Sequence, residues 1–157
     1  MKTAIFGAGC FWGVEESFRV LKGVLKTRVG YTGGTLKNPT YRGVCKGNSG
    51  HAEAVKVSFD QELVSYKSLV EHFWDIHDPT TKNRQGYDVG SQYRSVIFYL
   101  DNSQKEIATK SKNEQNESGR FLTPIVTEIV KSSIFYNAEE YHQQYLVKQR
   151  EKYKKKK

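Results

Sequence analysis

Of the two cysteines in the chain, Cys10 stands in the run Gly9-Cys10-Phe11-Trp12-Gly13. A short apolar stretch, Ala4-Ile5-Phe6, precedes it. Phe11, Val14, Phe18 and Leu21 follow at i, i+3, i+7 and i+10, one face of a helix. The spacing predicts a thiol between a strand and the first turn of a helix. Free backbone N–H groups and the positive end of the helix dipole meet there. Such a position lowers a thiol pKa and favours the thiolate, an effect that Glu15 and Glu16 partly oppose. The flanking glycines allow a tight turn and close approach of another molecule. Most free cysteines are buried small hydrophobes, so position alone leaves that reading open as well. A lipoprotein cleavage site is disfavoured, because the preceding apolar run is too short and the start too weakly basic.

Glu53 is the second residue with chemical potential. Val55, Val57 and Phe59 share one face of a predicted strand, and Ala54, Lys56 and Ser58 share the other. Glu53 has the parity of the apolar face. On a strand that begins this early its carboxyl points towards the core, where desolvation favours the neutral acid. The alternative is a strand-end glutamate that reaches solvent or pairs with a base such as Arg94. The four histidines, His51, His72, His77 and His142, fall on different elements, and none is marked as a base for Cys10. Cys45 and His51 are close in sequence, but no second close pair completes a zinc site. A thiolate without a histidine base suits redox chemistry better than acyl transfer. The product of attack on sulfur or oxygen is then a sulfenic acid on Cys10.

These residues need a scaffold, and the hydrophobic pattern supplies one. Residues 3–6 read as a strand, residues 11–22 as a helix and residues 24–31 as a second strand. Residues 35–50, rich in Gly, Asn, Pro, Thr and Ser, read as a long loop. After the strand at 53–59, Ser65 caps a helix to about residue 77 with the stripe Tyr66, Leu69, Val70, Phe73 and Trp74. Trp74 belongs to the core on this reading. A second long loop spans 77–93. Residues 96–100 are apolar on both faces and predict a central strand. A polar surface helix follows to about residue 118, then a strand at 125–130. Asn137 and Glu140 resemble a capping box for a last helix. The order β-α-β-β-α-β, then α-β-α, is that of a ferredoxin-like split βαβ unit with an extension. The expected class is α/β (α+β): a two-layer sandwich with a mixed sheet, flanking helices and long functional loops meeting at one edge.

At 157 residues the chain suits one domain, expected over 1–150, with a basic tail over 151–157. The formal charge is +8, but the last six residues hold five lysines, which leaves +3 on the rest. A solvated, frayed tail explains the excess more simply than a nucleic-acid arm. The ten tyrosines and eight phenylalanines fall mostly in periodic segments, where core packing accounts for them. No apolar run has transmembrane length and no targeting segment is present. Two cysteines fit a reducing cytoplasm better than a disulfide framework. The expectations are therefore a cytoplasmic monomer with no nucleic-acid or membrane partner and no metal.

A further set of residues carries a resemblance. Gly9 to Gly13 above, Gly30-Tyr31-Thr32-Gly33-Gly34, Asn38-Pro39-Thr40-Tyr41 and Gly50-His51-Ala52-Glu53 occur in order. So do His77-Asp78-Pro79-Thr80, Asn83-Arg84-Gln85-Gly86, Asp88-Val89-Gly90-Ser91-Gln92-Tyr93-Arg94-Ser95 and Ala138-Glu139-Glu140-Tyr141-His142. Together they resemble the A-type peptide methionine sulfoxide reductases over nearly the whole chain, to about residue 147. The resemblance implies that Cys10 attacks the sulfoxide sulfur and that Phe11 and Trp12 wall a pocket for the S-methyl group. It implies that Glu53, held protonated, delivers a proton to the sulfoxide oxygen, that Tyr41 and Tyr93 hold the same oxygen, and that Asp88 helps order water and the substrate main chain. The implied activity is reduction of the S epimer of methionine sulfoxide, in peptides and as the free amino acid, in repair of oxidised proteins.

No bound cofactor is implied; an external thiol is, expected to be glutathione, glutaredoxin or, in vitro, dithiothreitol attacking the sulfenic acid directly. Thioredoxin is expected to be a poorer reductant, because it works best on a preformed disulfide. Many relatives carry recycling cysteines near the C-terminus, and this sequence has none after Cys45. Cys45 is thereby the one candidate resolving thiol, in a loop where relatives tend not to recycle. Some members without recycling cysteines have selenocysteine at the position of Cys10. The rival classes are a thiol peroxidase and a basic binding module. Phe11-Trp12 beside the thiol favours a methyl-bearing sulfur substrate over peroxide.

Overall fold

The computed structural model describes residues 1–155, so Lys156 and Lys157 of the basic tail lie outside the described residues. The first strand, β1 (Lys2–Ala8), is buried from Ala4 onward and runs through the centre of a six-stranded sheet. It pairs antiparallel with β3 (Ala52–Phe59) on one side and β6 (Ser95–Tyr99) on the other. Strand β2 (Val24–Thr32) pairs antiparallel with the far side of β3. The order β6-β1-β3-β2 is the ferredoxin-like arrangement expected from the sequence. Two edge strands extend it: β7 (Glu128–Lys131), parallel to β6, and the short β8 (Tyr136–Asn137), antiparallel to β2. β8 approaches so closely that a Cβ on Gly30 would meet the Tyr136 carbonyl and the Phe135 ring.

One face of the sheet carries the main core. Ala4, Phe6, Val29, Tyr31, Val55, Val57 and Ile97 point from the strands into it. They meet Phe11, Val14 and Phe18 of α1 (Phe11–Arg19), with Leu69, Val70, Phe73 and Trp74 of α3 (Tyr66–Asp75). Phe6 stacks on both Phe18 and Phe73, at 4.9 and 5.3 Å between ring centres. Each fully buried side chain of this size stabilises by roughly 1.5–3 kcal/mol. α3 begins at Ser65, whose hydroxyl accepts from the Ser68 N–H at 3.0 Å, as the sequence predicts. Trp74 is fully buried and donates its indole N–H to Ser111 Oγ on the polar helix α4 (Asn102–Glu117). The opposite face holds a smaller cluster of Ile5, Ala52, Ala54, Val96 and Phe98 against Phe135.

Four expectations are corrected. The segment read as a loop over 35–50 contains a one-turn helix, α2 (Tyr41–Cys45), capped by Thr40 Oγ1 on the Gly43 N–H. Five residues are too few for a periodic pattern. The last helix, α5, runs over Tyr145–Lys155 and is not capped by Asn137 and Glu140. Asn137 lies in β8, Glu140 opens a 3-10 turn, and Gln144 at φ +49° separates that turn from α5. α5 also carries regular helix into residues 151–155, where a frayed tail was expected. The second long loop holds a small hairpin, β4 (Arg84–Gln85) with β5 (Asp88–Val89), and a 3-10 turn at Ser91–Tyr93.

Candidate active site

Cys10 occupies the N-cap position of α1, directly after β1. Its thiol is half-buried, and burial pushes its pKa up to about 11. The N–H groups of Trp12 and Gly13 at the helix start pull the other way, while the carboxyls of Glu53 and Asp88 push further up. The expected lowering is therefore overturned: desolvation outweighs the helix-start amides. Gly9 has φ +99°, and a Cβ there would fall 2.8 Å from the Gln85 side chain. Gln85 is itself fixed by two hydrogen bonds to the Asp78 backbone, each 2.8 Å. The β4–β5 hairpin is thus pinned against the Cys10 turn, and Asp88 comes with it.

Glu53 has the parity read from the sequence. It follows Val55 and Val57 onto the helix-covered face of β3 and is 1% exposed. The Phe11 N–H donates to its Oε1 at 3.2 Å, and its Oε2 is buried with no hydrogen-bond partner among the described residues. Burial raises its pKa to about 7, opposed by the Phe11 N–H and aided by Asp88. Pairing with Arg94 does not occur. That guanidinium meets Glu128 at 3.4 Å and the carbonyls of Ser91 and Gly50.

The two tyrosines arrive from the two long segments. Tyr41 opens α2; burial, then a hydrogen bond with Cys45, raises its phenol well above the usual range. Tyr93 closes the 3-10 turn and is pushed up to about 12 by burial, then by the charges of Glu53, Cys45, Asp88 and Cys10. All six polar residues singled out in the sequence thus lie within electrostatic reach of others in the set. Cys45 is exposed at the end of α2. Phe11 is buried, while Trp12 is half-buried at the rim.

The sequence reading assigned no role to four residues that build this site's wall. The Tyr31 hydroxyl donates to Glu139 Oε1 at 2.9 Å, and the other oxygen, Oε2, accepts from the Tyr41 N–H at 3.1 Å. His142 Nδ1 accepts from the Trp12 indole N–H at 2.9 Å. Tyr145 stacks on Trp12 with ring centres 3.7 Å apart. Glu139 and His142 belong to a run already noticed as a motif. Their partners lie about a hundred residues away, and no local pattern encodes that pairing. Among the described residues no group of three His, Cys, Asp or Glu could hold a metal ion, and no helix is long and apolar enough to cross a membrane.

The family model for peptide methionine sulfoxide reductase matches residues 2–157. The chain belongs to that family. It is 62% identical over 148 residues to peptide methionine sulfoxide reductase MsrA of Methanosarcina mazei, covering 94% of this chain and 70% of that protein. Mxr1 from Saccharomyces cerevisiae in reduced form superposes with a TM-score of 0.85 at 36% identity, over 94% of this chain and 84% of that one. Mxr1 in complex with Trx2 superposes at 0.63 with 27% identity, over 92% and 84%. The chain is accordingly an oxidoreductase that reduces methionine sulfoxide to methionine, the chemistry of protein repair.

Proposed function

We propose that the chain reduces the S epimer of methionine sulfoxide in peptides, and the free amino acid as well, through a sulfenic acid on Cys10. The observation that carries this reading is the unpartnered Glu53 Oε2, held beside the thiol by the single Phe11 N–H bond. A neutral carboxyl there is a proton donor in want of an acceptor, and the sulfoxide oxygen is one. Oxide is a poor leaving group, so attack at sulfur needs that oxygen protonated in the transition state. With the thiol near 11 and Glu53 near 7, Cys10 does not release its proton beforehand. Attack and protonation are coupled. The Sγ–sulfur bond forms as Glu53 protonates the oxygen. Hydroxyl then passes to Cys10, the substrate sulfur leaves as methionine, and the thiol proton restores Glu53. Thiol plus sulfoxide become sulfenic acid plus thioether.

Phe11 and Trp12 wall the methyl pocket, Tyr41 and Tyr93 hold the oxygen, and Asp88 orders the substrate main chain. The unit that does this is residues 1–150, acting as a monomer in the cytoplasm without a bound cofactor. An external thiol returns the sulfenic acid to thiol; glutathione, glutaredoxin and dithiothreitol can attack it directly. The Mxr1 complex with Trx2 supports a thioredoxin as a further reductant. Cys45 is kept as the resolving alternative, because its thiol lies by Tyr41.

Incubation with the separate S and R epimers of a methionine sulfoxide peptide plus dithiothreitol tests the reading. Chromatography should show the S epimer consumed, the R epimer intact and the racemate halting near half conversion. Consumption of both would sink it, since a fixed methyl wall and a fixed oxygen site present sulfur to Cys10 in one hand only.

A further inference from the structure

The mechanism above leaves the buried ring of His142 unused. His142 is fully buried in the 3-10 turn that precedes α5, and its ring lies against four aromatics of the site. Phe11 is 5.2 Å away, Trp12 5.7 Å, Tyr41 4.6 Å and Tyr141 4.1 Å between ring centres. Its Nδ1 accepts the Trp12 indole N–H at 2.9 Å. An imidazole that accepts at Nδ1 must be neutral and carry its proton on Nε2. Burial lowers the pKa of His142 against the pull of Glu139, in keeping with a neutral ring.

The turn that carries the ring is anchored independently. Gln143 bonds the Val29 N–H and carbonyl and the Ala138 carbonyl, and the Gln144 N–H donates to the buried Glu15 carboxylate at 2.7 Å. Trp12, by contrast, lies half-buried at the rim. Its indole packs against the edge of the main core and stacks on Tyr145, and among the described residues its N–H is held by His142. Tyr145 fixes the plane of the indole, but a stacked ring can still rotate within that plane. A hydrogen bond to the indole N–H fixes that rotation.

We infer that His142 is a positioning residue that sets the in-plane orientation of Trp12, and through it the size of the pocket offered to the S-alkyl group of the substrate. This rests on the reading of Trp12 as the methyl wall. With the indole pinned, the pocket takes a methyl and rejects a larger alkyl. With the indole free to turn, the same residues admit an ethyl group. The proton of Glu53 and the nucleophile are untouched, so the effect falls on alkyl selectivity and KM rather than on the chemical step.

The test compares the S epimers of methionine sulfoxide and ethionine sulfoxide as kcat/KM, in wild type and four variants. His142→Phe keeps a ring for the aromatic contacts but has no acceptor. His142→Asn loses the ring but offers an acceptor oxygen near the place of Nδ1. Loss of one hydrogen bond predicts a three- to ten-fold fall in the methyl-to-ethyl ratio for His142→Phe, carried mainly by a lower KM for the ethyl substrate. His142→Asn should stay within about two-fold of wild type. Trp12→Phe should relax the ratio by itself, and adding His142→Phe to it should change the ratio no further. A wild-type ratio in His142→Phe, equal losses in both His142 variants, or additive losses in the double variant would overturn the inference. An unchanged ratio in Trp12→Phe would instead remove the methyl-wall reading on which it rests. Should His142→Phe fail to fold, ¹⁵N NMR of the wild-type protein decides. The inference requires an Nε2–H imidazole at His142 and a Trp12 indole N–H protected from exchange. An Nδ1–H or doubly protonated ring at neutral pH contradicts it.

Discussion

The Phe11 N–H donates to Glu53 Oε1 at 3.2 Å and leaves Oε2 with no partner among the described residues. That bond joins β3 to the start of α1, one residue after the thiol, so acid and nucleophile are placed by the same helix terminus. A single donor is enough to orient the carboxyl. It is too little to hold it ionised against burial at 1% exposure.

This makes Glu53 costly to the fold at alkaline pH. Its pKa is raised from 4.5 to about 7, so folding favours the protonated form. That contribution is full below about pH 4.5 and is lost as pH rises through 7. Glu53→Gln cannot ionise, and should be more stable than wild type at pH 8 by up to about 3 kcal/mol, with no gain at pH 4. Urea unfolding at the two pH values reads this directly. Equal stability at pH 8 would mean that Glu53 is not desolvated.

The same residue should govern the chemical step. Glu53→Ala is expected to slow single-turnover methionine formation about 10²–10⁴-fold with little change in substrate affinity. Glu53→Gln should keep part of the rate, because an amide donates a hydrogen bond but no proton. Stopped-flow rates at saturating substrate decide, and wild-type rates in both variants would remove Glu53 from the mechanism.

The two cysteines should separate cleanly. Cys10→Ser abolishes methionine formation, whereas Cys45→Ser keeps the first turnover, since Cys45 is exposed at the end of α2. One-turnover yields without reductant measure this. Loss of the first turnover in Cys45→Ser would reassign the nucleophile.

Glu139 spends one oxygen on the Tyr31 hydroxyl and the other on the Tyr41 N–H. Glu139→Ala leaves both donors without that acceptor, and should cost roughly 1–3 kcal/mol of stability. It should also raise KM, because Tyr41 and α2 lose their tie. Glu139→Gln, which keeps one acceptor, should fall between. Denaturation midpoints and KM values that match wild type would show the bridge to be dispensable.

His77 predicts behaviour at acid pH. Burial lowers its pKa to about 4; Nδ1 meets the Phe73 carbonyl at 2.6 Å and Nε2 meets Ser95 Oγ at 2.7 Å. A depressed pKa means that folding favours the neutral ring. Its contribution is present above about pH 6.5 and is lost as pH falls through 4, a span of about 3 kcal/mol. The stability of His77→Asn, plotted between pH 7 and 4, should be flatter than that of wild type. Parallel curves would assign the acid loss elsewhere.

The sheet was legible because its strands and the stripe on α3 are long enough to show their period. The parity of Glu53 was legible for the same reason: Val55, Val57 and Phe59 fix the face. Four kinds of feature were not. α2 is a single turn, too short for periodicity, and its Thr40 cap stands in a stretch of loop composition. The start of α5 depends on Gln144 in the left-handed region, held by the buried Glu15, a contact across 129 residues. The Cys10 pKa depends on how deeply the turn sinks, a sum of tertiary contacts that outweighs the local helix-start effect. The wall built by Glu139, His142 and Tyr145 joins the end of the chain to its beginning, and no spacing rule reads that.

The central claim is that Cys10 takes the substrate oxygen while Glu53 supplies the proton. Intact mass with peptide mapping, after one equivalent of the S epimer and no reductant, tests it most directly. The account predicts one methionine per chain and one added oxygen at Cys10 that dimedone captures. A Cys10–Cys45 disulfide formed at the turnover rate would make Cys45 the resolving residue but keep the first step. Methionine released with Cys10 still a free thiol, or with the oxygen found elsewhere, would contradict the account.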